Sequence, residues 1–311
     1  MHPIRRAVID VGTNSVKLLV ADVDGREIRL VSEQSHQTRL GHAFYQAHRL
    51  QPEAIGATGK AVAEFAAVAR EAQAASIRIL ATSAAREALN RHELTSAIEQ
   101  ACGLNVEVIS GEQEAALGFL GVTTDPQLAQ APLLLLDVGG GSSQFVFGRN
   151  CQAQLNHSFP LGSVRLMESR PCSDPPTAAD LSACRRWLKE FLNKEVRPKL
   201  LPAMGAAQLV GIGGTASVLG CMEAQLTTFD RARLEATRLT ATRVLWHLER
   251  LWSLPLAQRQ TIVGLPKNRT DIILMGVAIY QAVMEAFDFA TLRISTRGLR
   301  FAALLQPASK V

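Results

Sequence analysis

Asp137 ends an apolar run and is followed at once by glycines and serines that could bind an anion. The stretch reads LLLLDVGGGSSQFVF over residues 133–147. Four consecutive leucines predict a strand that is buried on both faces and ends at the carboxylate. Glycines bring backbone N–H groups close together and serine hydroxyls add donors, so such a turn suits phosphate. The alternative is a hairpin whose turn is merely rich in glycine.

A carboxylate followed by a glycine or hydroxyl turn occurs again near the start of the chain. Asp10 ends the apolar run AVID, and the next turn contains GTNS. A third turn, GGT, follows the apolar residues 209–212. One such turn is weak evidence, but three in a repeated strand and turn frame predict phosphate contacts from both halves of the chain. The predicted phosphate-binding residues are Thr13, Asn14, Ser15, Gly139, Gly140, Gly141, Ser142, Ser143, Gly213, Gly214 and Thr215.

The elements that must position these turns repeat in both halves. Each half reads as β-β-β-α-β-α-β-α, which predicts an α/β fold of two similar domains with a cleft between them. The polar stretch 125–132, DPQLAQAP, is the natural join. The predicted domains are therefore residues 1–124 and 125–311. The sequence alone does not decide whether the final helix, 298–305, packs on the first domain.

Composition favours an anionic ligand and excludes several classes of protein. The chain has 311 residues, is 47% hydrophobic and carries a formal charge of +5, with 26 arginines but only 7 lysines. Arginine pairs with phosphate through two hydrogen bonds, although most of these arginines are expected on solvated helix faces. No apolar run reaches the roughly 18 residues of a membrane span, and we expect neither a membrane nor a nucleic-acid partner.

The five cysteines are scattered without a metal-binding spacing, which predicts free thiols in a cytoplasmic protein; they are Cys102, Cys151, Cys172, Cys184 and Cys221. Two common nucleotide sites are also disfavoured. The GGT turn lacks the full GxGxxG pattern of a dinucleotide site, and no GxxxxGK[ST] motif is present.

Eight segments give the chain a specific resemblance over nearly its whole length. They read AVIDVGTNSVKLLV, TRLG, ATSAAREA, VISGEQEAALGFLGV, LLLLDVGGGSSQFVFG, GIGGTAS, RTDIILMG and ISTRGLR. In this order and spacing, they resemble the Ppx/GppA family of exopolyphosphatases and guanosine pentaphosphate phosphohydrolases. The resemblance implies two actin-like domains of the actin, Hsp70 and sugar kinase superfamily. It also suggests the short form of the family, without a C-terminal helical domain of HD type.

The resemblance implies roles for individual residues. Glu114 matches the family's general base, which would deprotonate a water that attacks the terminal phosphorus. Asp137 matches a carboxylate that helps to hold Mg²⁺, and Asp10, its counterpart in the repeat, is the second metal candidate. Further positions match phosphate-binding sites of the family; they are Arg86, Asn14, Gly139 and Ser142, with Thr215 and Arg269 as weaker matches.

Two positions depart from the family pattern. Gln113 and Gln144 stand where glutamates are usual. An amide at 144 can still position a water or a metal-bound water, but it cannot act as a base and adds no charge for Mg²⁺. The two amides therefore predict lower activity than the family pattern implies and a different arrangement of ligands around the metal.

The preferred hypothesis is an exopolyphosphatase that uses Mg²⁺ and releases terminal orthophosphate from inorganic polyphosphate. The close alternative is hydrolysis of guanosine pentaphosphate, and none of the candidate site residues separates the two. A binding sensor that has lost turnover through its two glutamines is a third reading. A kinase of the same superfamily is disfavoured by the SGEQEA and ATSAAREA motifs. The resemblance also implies a homodimer.

Overall fold

A computed structural model describes residues 2–200 and 207–306. The strands are β1 to β11, in order Ile4–Val11, Val16–Asp24, Glu27–His36, Ser76–Ala81, Val106–Val108, Leu133–Val138, Ser143–Arg149, Gln152–Phe159, Gln208–Ile212, Arg238–Thr240 and Thr291–Ile294. The α-helices are α1 to α14, in order Pro52–Glu71, Ser83–Glu87, Arg91–Cys102, Gly111–Val122, Pro126–Ala129, Ser163–Ser169, Ala178–Phe191, Arg197–Leu200, Gly213–Glu223, Arg231–Ala236, Ala241–Ser253, Leu256–Arg259, Ile273–Ala286 and Leu299–Leu305. The described residues form two compact units, one within residues 1–126 and 297–311 and the other within residues 127–296.

Unit 1 is built on a five-stranded sheet in the order β3-β2-β1-β4-β5. Strands β1, β2 and β3 are antiparallel neighbours, whereas β4 is parallel to β1 and β5 is parallel to β4. Helices α1 and α3 bury their apolar residues with one side of the sheet, among them Val62, Phe65 and Leu94. The parallel arrangement brings the carboxyl ends of β1, β4 and β5 to the same edge.

Unit 2 contains a six-stranded sheet in the order β10-β11-β9-β6-β7-β8. Without β10, this order matches that of unit 1 strand for strand, because β6, β9 and β11 take the places of β1, β4 and β5. The apolar helix α13 packs into its core, where Tyr280 is fully buried. Both sheets therefore follow the predicted plan, and the α/β fold class is confirmed.

The repeat extends to the register of the first hairpin in each unit. Asp10 lies opposite Lys17, and Asp137 lies opposite Gln144. The Gly12 amide donates to the Ser15 carbonyl at 3.0 Å, and the Gly139 amide donates to the Ser142 carbonyl at 3.0 Å. The two turns consequently have the same length and the same closing hydrogen bond.

The final helix belongs to unit 1, although the predicted second domain ran to residue 311. Helix α14 packs on α4 and buries Leu299, Phe301 and Leu304 with Val8 and Leu19 of the sheet. The close approach depends on glycine, because a Cβ atom at Gly121 would lie 2.0 Å from the Gly298 carbonyl oxygen. The last helix thus completes the second side of the first sheet.

Unit 2 also departs locally from the predicted elements. The sequence predicted a turn at 213–215, but α9 begins at Gly213 directly after β9. Helices α6 and α10 and strand β10 were not predicted, because each is only three to seven residues long. A π-helical segment, Leu192–Val196, lies between α7 and α8. Over the part of the chain that the structure describes, no helix is long and apolar enough to span a membrane.

Candidate functional site

In unit 1, the end of β1 carries the first predicted carboxylate, Asp10. Its side chain is half-buried, and burial raises its pKa, while the positive charges of Lys17 and Arg300 act in the opposite direction. Residues directly opposite each other on antiparallel strands present their side chains to the same face. Lys17 therefore places a cation on the same face as Asp10.

The turn that follows β1 is almost completely buried. Thr13, Asn14 and Ser15 are 4%, 9% and 6% exposed. The Thr82 amide donates to the Val11 carbonyl at 3.2 Å, so the start of α2 lies beside this turn. The structure thereby brings together two of the regions that the sequence singled out.

Arg86 and Glu114 form the charged pair of unit 1. Arg86 lies in α2, which follows β4, and its Nη1 atom donates to Glu114 Oε2 at 3.1 Å and to the Ile109 carbonyl at 3.1 Å. Both side chains are mostly buried, with 21% and 14% exposure. Arg86 therefore connects the predicted general base to the end of β5.

A capping box places Glu114 in the first turn of α4. Ser110 Oγ accepts from the Gln113 amide at 3.1 Å, and Gln113 Oε1 accepts from the Ser110 amide at 2.8 Å. Glutamine and glutamate both serve at this position of a capping box. Glutamine in place of the family's glutamate at position 113 therefore still forms the capping box that begins α4. The position of the Glu114 carboxylate does not require a second carboxylate at residue 113.

In unit 2, Asp137 lies against the first residue of α9. A Cβ atom at Gly213 would lie 2.2 Å from Asp137 Oδ1, and Gly213 has a φ of +80°. Only glycine suits this position, because the left-handed region and the close carboxylate both exclude a side chain. The end of β6 and the start of α9 thus meet at the carboxylate.

Two further predicted residues lie at the same place. Thr215 Oγ1 donates to the Val138 carbonyl at 3.1 Å. A Cβ atom at Gly214 would lie 2.2 Å from Arg269 Nη1, so the guanidinium packs on that glycine. Burial lowers the pKa of Arg269, and Asp271 opposes this shift. Unit 2 therefore gathers a carboxylate, a guanidinium and the amino end of a helix.

The two serines of the second turn have different surroundings. Ser142 is buried beside Gln144, whose Nε2 atom donates to Ser142 Oγ at 2.9 Å and to Ser158 Oγ at 3.0 Å. Ser143 is fully buried and donates to the Leu161 carbonyl at 2.5 Å. Neighbouring residues of a strand face opposite sides, so Ser143 points away from Gln144. The hydroxyl hydrogen of Ser143, a predicted phosphate donor, is thus engaged inside the protein.

The residues around Asp137 fit one Mg²⁺ ion held mainly by substrate and water. Within residues 2–200 and 207–306, no three His, Cys, Asp or Glu side chains form a metal-binding group. Mg²⁺ is commonly bound by one or two carboxylates, with phosphate oxygens and waters completing its shell. A single half-exposed carboxylate beside a glycine turn suits that mode. Asp10 suits it less well, because Lys17 already provides a cation on its face.

Tyr280 is a supporting residue that the sequence did not reveal. Its buried hydroxyl lies 2.9 Å from the Leu136 carbonyl oxygen and 3.2 Å from that of Ile212, at the ends of β6 and β9. Burial raises its pKa well above the usual value, and the charge of Asp137 acts in the same direction. In the sequence, Tyr280 is one residue of an apolar helix, and no pattern marks it.

None of the five cysteines forms a disulfide, as predicted. Comparison with known proteins then places the chain among relatives. The sequence model of the Ppx/GppA phosphatase family matches residues 19–310. Exopolyphosphatase 2 of Mycobacterium tuberculosis is 33% identical over 286 residues, which cover 89% of this chain and 89% of that protein.

Two solved structures agree over nearly the whole length. The Ppx/GppA family member of Aquifex aeolicus is 28% identical with a TM-score of 0.81, covering 97% of this chain and 96% of that one. An exopolyphosphatase-like protein is 29% identical with a TM-score of 0.90, covering 98% of each chain. This protein therefore belongs to the Ppx/GppA phosphatase family and is a phosphoanhydride hydrolase built from two actin-like domains.

Proposed function

We propose that the protein is an exopolyphosphatase, which releases orthophosphate from the end of an inorganic polyphosphate chain. The observation that carries this proposal is the mostly buried Arg86–Glu114 pair at the start of α4. Relatives named exopolyphosphatases support the choice of substrate. The cytoplasm is the proposed compartment, since none of the five cysteines forms a disulfide.

Glu114 is the proposed general base. Its carboxylate accepts a proton from water while the water oxygen bonds to the terminal phosphorus and the bridging P–O bond breaks. The bridging oxygen leaves with the shortened chain, and the proton passes from Glu114 to solvent. Glu114 needs no second carboxylate for this step, so the amide at position 113 does not prevent it.

Arg86 has two proposed tasks during this reaction. Its guanidinium keeps the Glu114 carboxylate oriented through Nη1, and its remaining N–H groups are suited to a phosphate oxygen. Because both groups are largely shielded from water, their electrostatic interactions with the phosphate are stronger than at an exposed surface.

The anion-binding turns of each unit are proposed to bind phosphate groups. In unit 2 the amino end of α9 and Arg269 supply N–H donors, and Asp137 would hold Mg²⁺ through its carboxylate. Mg²⁺ would neutralise negative charge on the phosphate oxygens. Gln144, opposite Asp137, would hydrogen-bond a metal-bound water rather than add a charge.

A phosphate-release assay with polyphosphate and with guanosine pentaphosphate, each with and without Mg²⁺, tests the proposal. We expect release from polyphosphate that requires Mg²⁺. Preferential release from guanosine pentaphosphate would instead support the nucleotide hydrolase. If calorimetry shows that polyphosphate binds but no phosphate is released, the hydrolase proposal is overturned and the binding sensor is supported. The observation that favours a sensor is the neutral Gln144.

A further inference from the structure

The segment that follows β3 lies along the first phosphate turn. The Arg39 amide donates to the Asn14 carbonyl at 3.1 Å, and the Gly41 amide donates to the Thr13 carbonyl at 2.7 Å. A Cβ atom at Gly41 would lie 2.3 Å from Thr13 Cγ2. These contacts fix the backbone of the turn and bring Gln37, the first residue after β3, next to Asn14.

Gln37 also determines which way the Asn14 amide faces. Gln37 Nε2 donates to Asn14 Oδ1 at 3.2 Å. A carboxamide has its acceptor oxygen and its donor nitrogen on opposite sides. Because Gln37 engages the oxygen, Asn14 Nδ2 must donate in another direction.

The donor of Asn14 lacks an acceptor within the described residues. Asn14 is 9% exposed, and its Nδ2 atom is buried without a hydrogen-bond partner there. A buried donor without an acceptor is unfavourable for folding, and such groups are rare unless a ligand or water completes them. The turn therefore provides a buried donor in a position where an anion could accept.

We propose that Gln37 is a positioning residue, whose amide holds Asn14 with Nδ2 directed at a phosphate oxygen of the substrate. This inference rests on the proposed function, because it assumes that the turn at 12–15 binds substrate phosphate. Gln37 itself contacts Asn14 and need not touch the substrate.

The Gln37→Glu variant tests the orientation directly. A carboxylate can only accept, so Asn14 must rotate its Nδ2 toward residue 37 and turn Oδ1 toward the phosphate. We expect KM for polyphosphate to rise at least about tenfold, the usual worth of a hydrogen bond to a charged group, while kcat changes little. Thermal unfolding of the same sample confirms that the variant is folded.

Two comparisons separate positioning from a general effect of charge. Gln34→Glu adds the same charge at an exposed site of β3, three residues before Gln37, and its KM is expected to stay within about twofold of wild type. Asn14→Ala should raise KM to a similar extent as Gln37→Glu. The double variant should then show little further increase, because residues that act as one unit are not additive.

Additive effects in the double variant, or a normal KM for folded Gln37→Glu, would overturn the inference. A fall in kcat alone would also contradict it. If the wild-type protein binds polyphosphate without hydrolysing it, the proposed hydrolase fails, while the same comparison made with dissociation constants still tests Gln37.

Discussion

Arg86 Nη1 lies 3.1 Å from Glu114 Oε2, and the same nitrogen lies 3.1 Å from the Ile109 carbonyl oxygen. One guanidinium thus holds the predicted base and the end of β5 together. This arrangement explains why an arginine is needed in α2, since its fork offers several donors in a fixed plane.

Replacing Arg86 with lysine should weaken substrate binding and misplace Glu114. Lysine keeps the charge but loses the planar fork, so it cannot serve the carbonyl, the carboxylate and a phosphate together. We expect kcat/KM for polyphosphate to fall about tenfold or more. Steady-state kinetics measure this, with the exposed Arg91→Lys as the control. Equal activity of both variants would show that Arg86 has no role in substrate binding or catalysis.

Gln144→Glu should change the response to Mg²⁺. The new carboxylate would lie opposite Asp137 in register, and an added charged oxygen ligand strengthens Mg²⁺ binding. We expect the Mg²⁺ concentration for half-maximal rate to fall about threefold or more. Gln154→Glu, at an exposed position of β8, is the matched control. A titration curve identical to that of wild type would place residue 144 outside the metal shell.

Gly213→Ala should both destabilise unit 2 and lower activity. Alanine is strained at a φ of +80°, and its Cβ atom would meet Asp137 Oδ1 at 2.2 Å. We expect the free energy of unfolding to fall by about 1–3 kcal/mol. For Gly56→Ala, where nothing lies within 4 Å of the new methyl group, chemical denaturation should show no loss of stability. A fully stable Gly213→Ala protein would disprove the close contact with Asp137.

His247 should make unit 2 less stable as the pH falls below about 6.5. The imidazole is 2% exposed, and burial lowers its pKa, although Glu223, 2.8 Å from Nε2, opposes the shift. The folded state then binds fewer protons than the unfolded state. The contribution of His247 to the free energy of unfolding is therefore present above pH 6.5 and is lost as the pH falls through the folded pKa. Denaturation of wild type and His247→Gln between pH 8 and 5 measures the difference.

The wild-type advantage over His247→Gln is expected to shrink steadily across that range. His42→Gln, at an exposed histidine, is the control substitution. If the two substitutions behave alike, burial of His247 has no influence on its titration.

Sequence patterns predicted the repeated sheets because apolar strands and glycine turns have strong local signals. The leucine run 133–136 predicted a buried strand, and its match to residues 7–10 followed from the shared carboxylate and turn. Local signals were ambiguous at Gly213, since a glycine after a strand suits both a loop and the first turn of a helix. Side chains alternate between the two faces of a strand, so the sequence could have shown that Ser143 and Gln144 face opposite sides of β7.

Other features depend on contacts between distant segments. Gln37 meets Asn14 only because β3 returns to the start of β2, and Tyr280 reaches the ends of two strands from a helix far along the chain. Neither contact leaves a periodic pattern in the sequence. The assignment of α14 to unit 1 likewise depends on the approach of Gly298 to Gly121.

The most direct test of the central claim is phosphate release by Glu114→Gln, compared with Glu112→Gln two residues earlier in the same helical turn. If Glu114 is the general base, its variant should bind polyphosphate as wild type does and lose about 10² or more in kcat, the usual scale for loss of such a group. Glu112→Gln should remain active. Wild-type turnover by Glu114→Gln would contradict the account, because water would then be activated without the carboxylate that Arg86 holds.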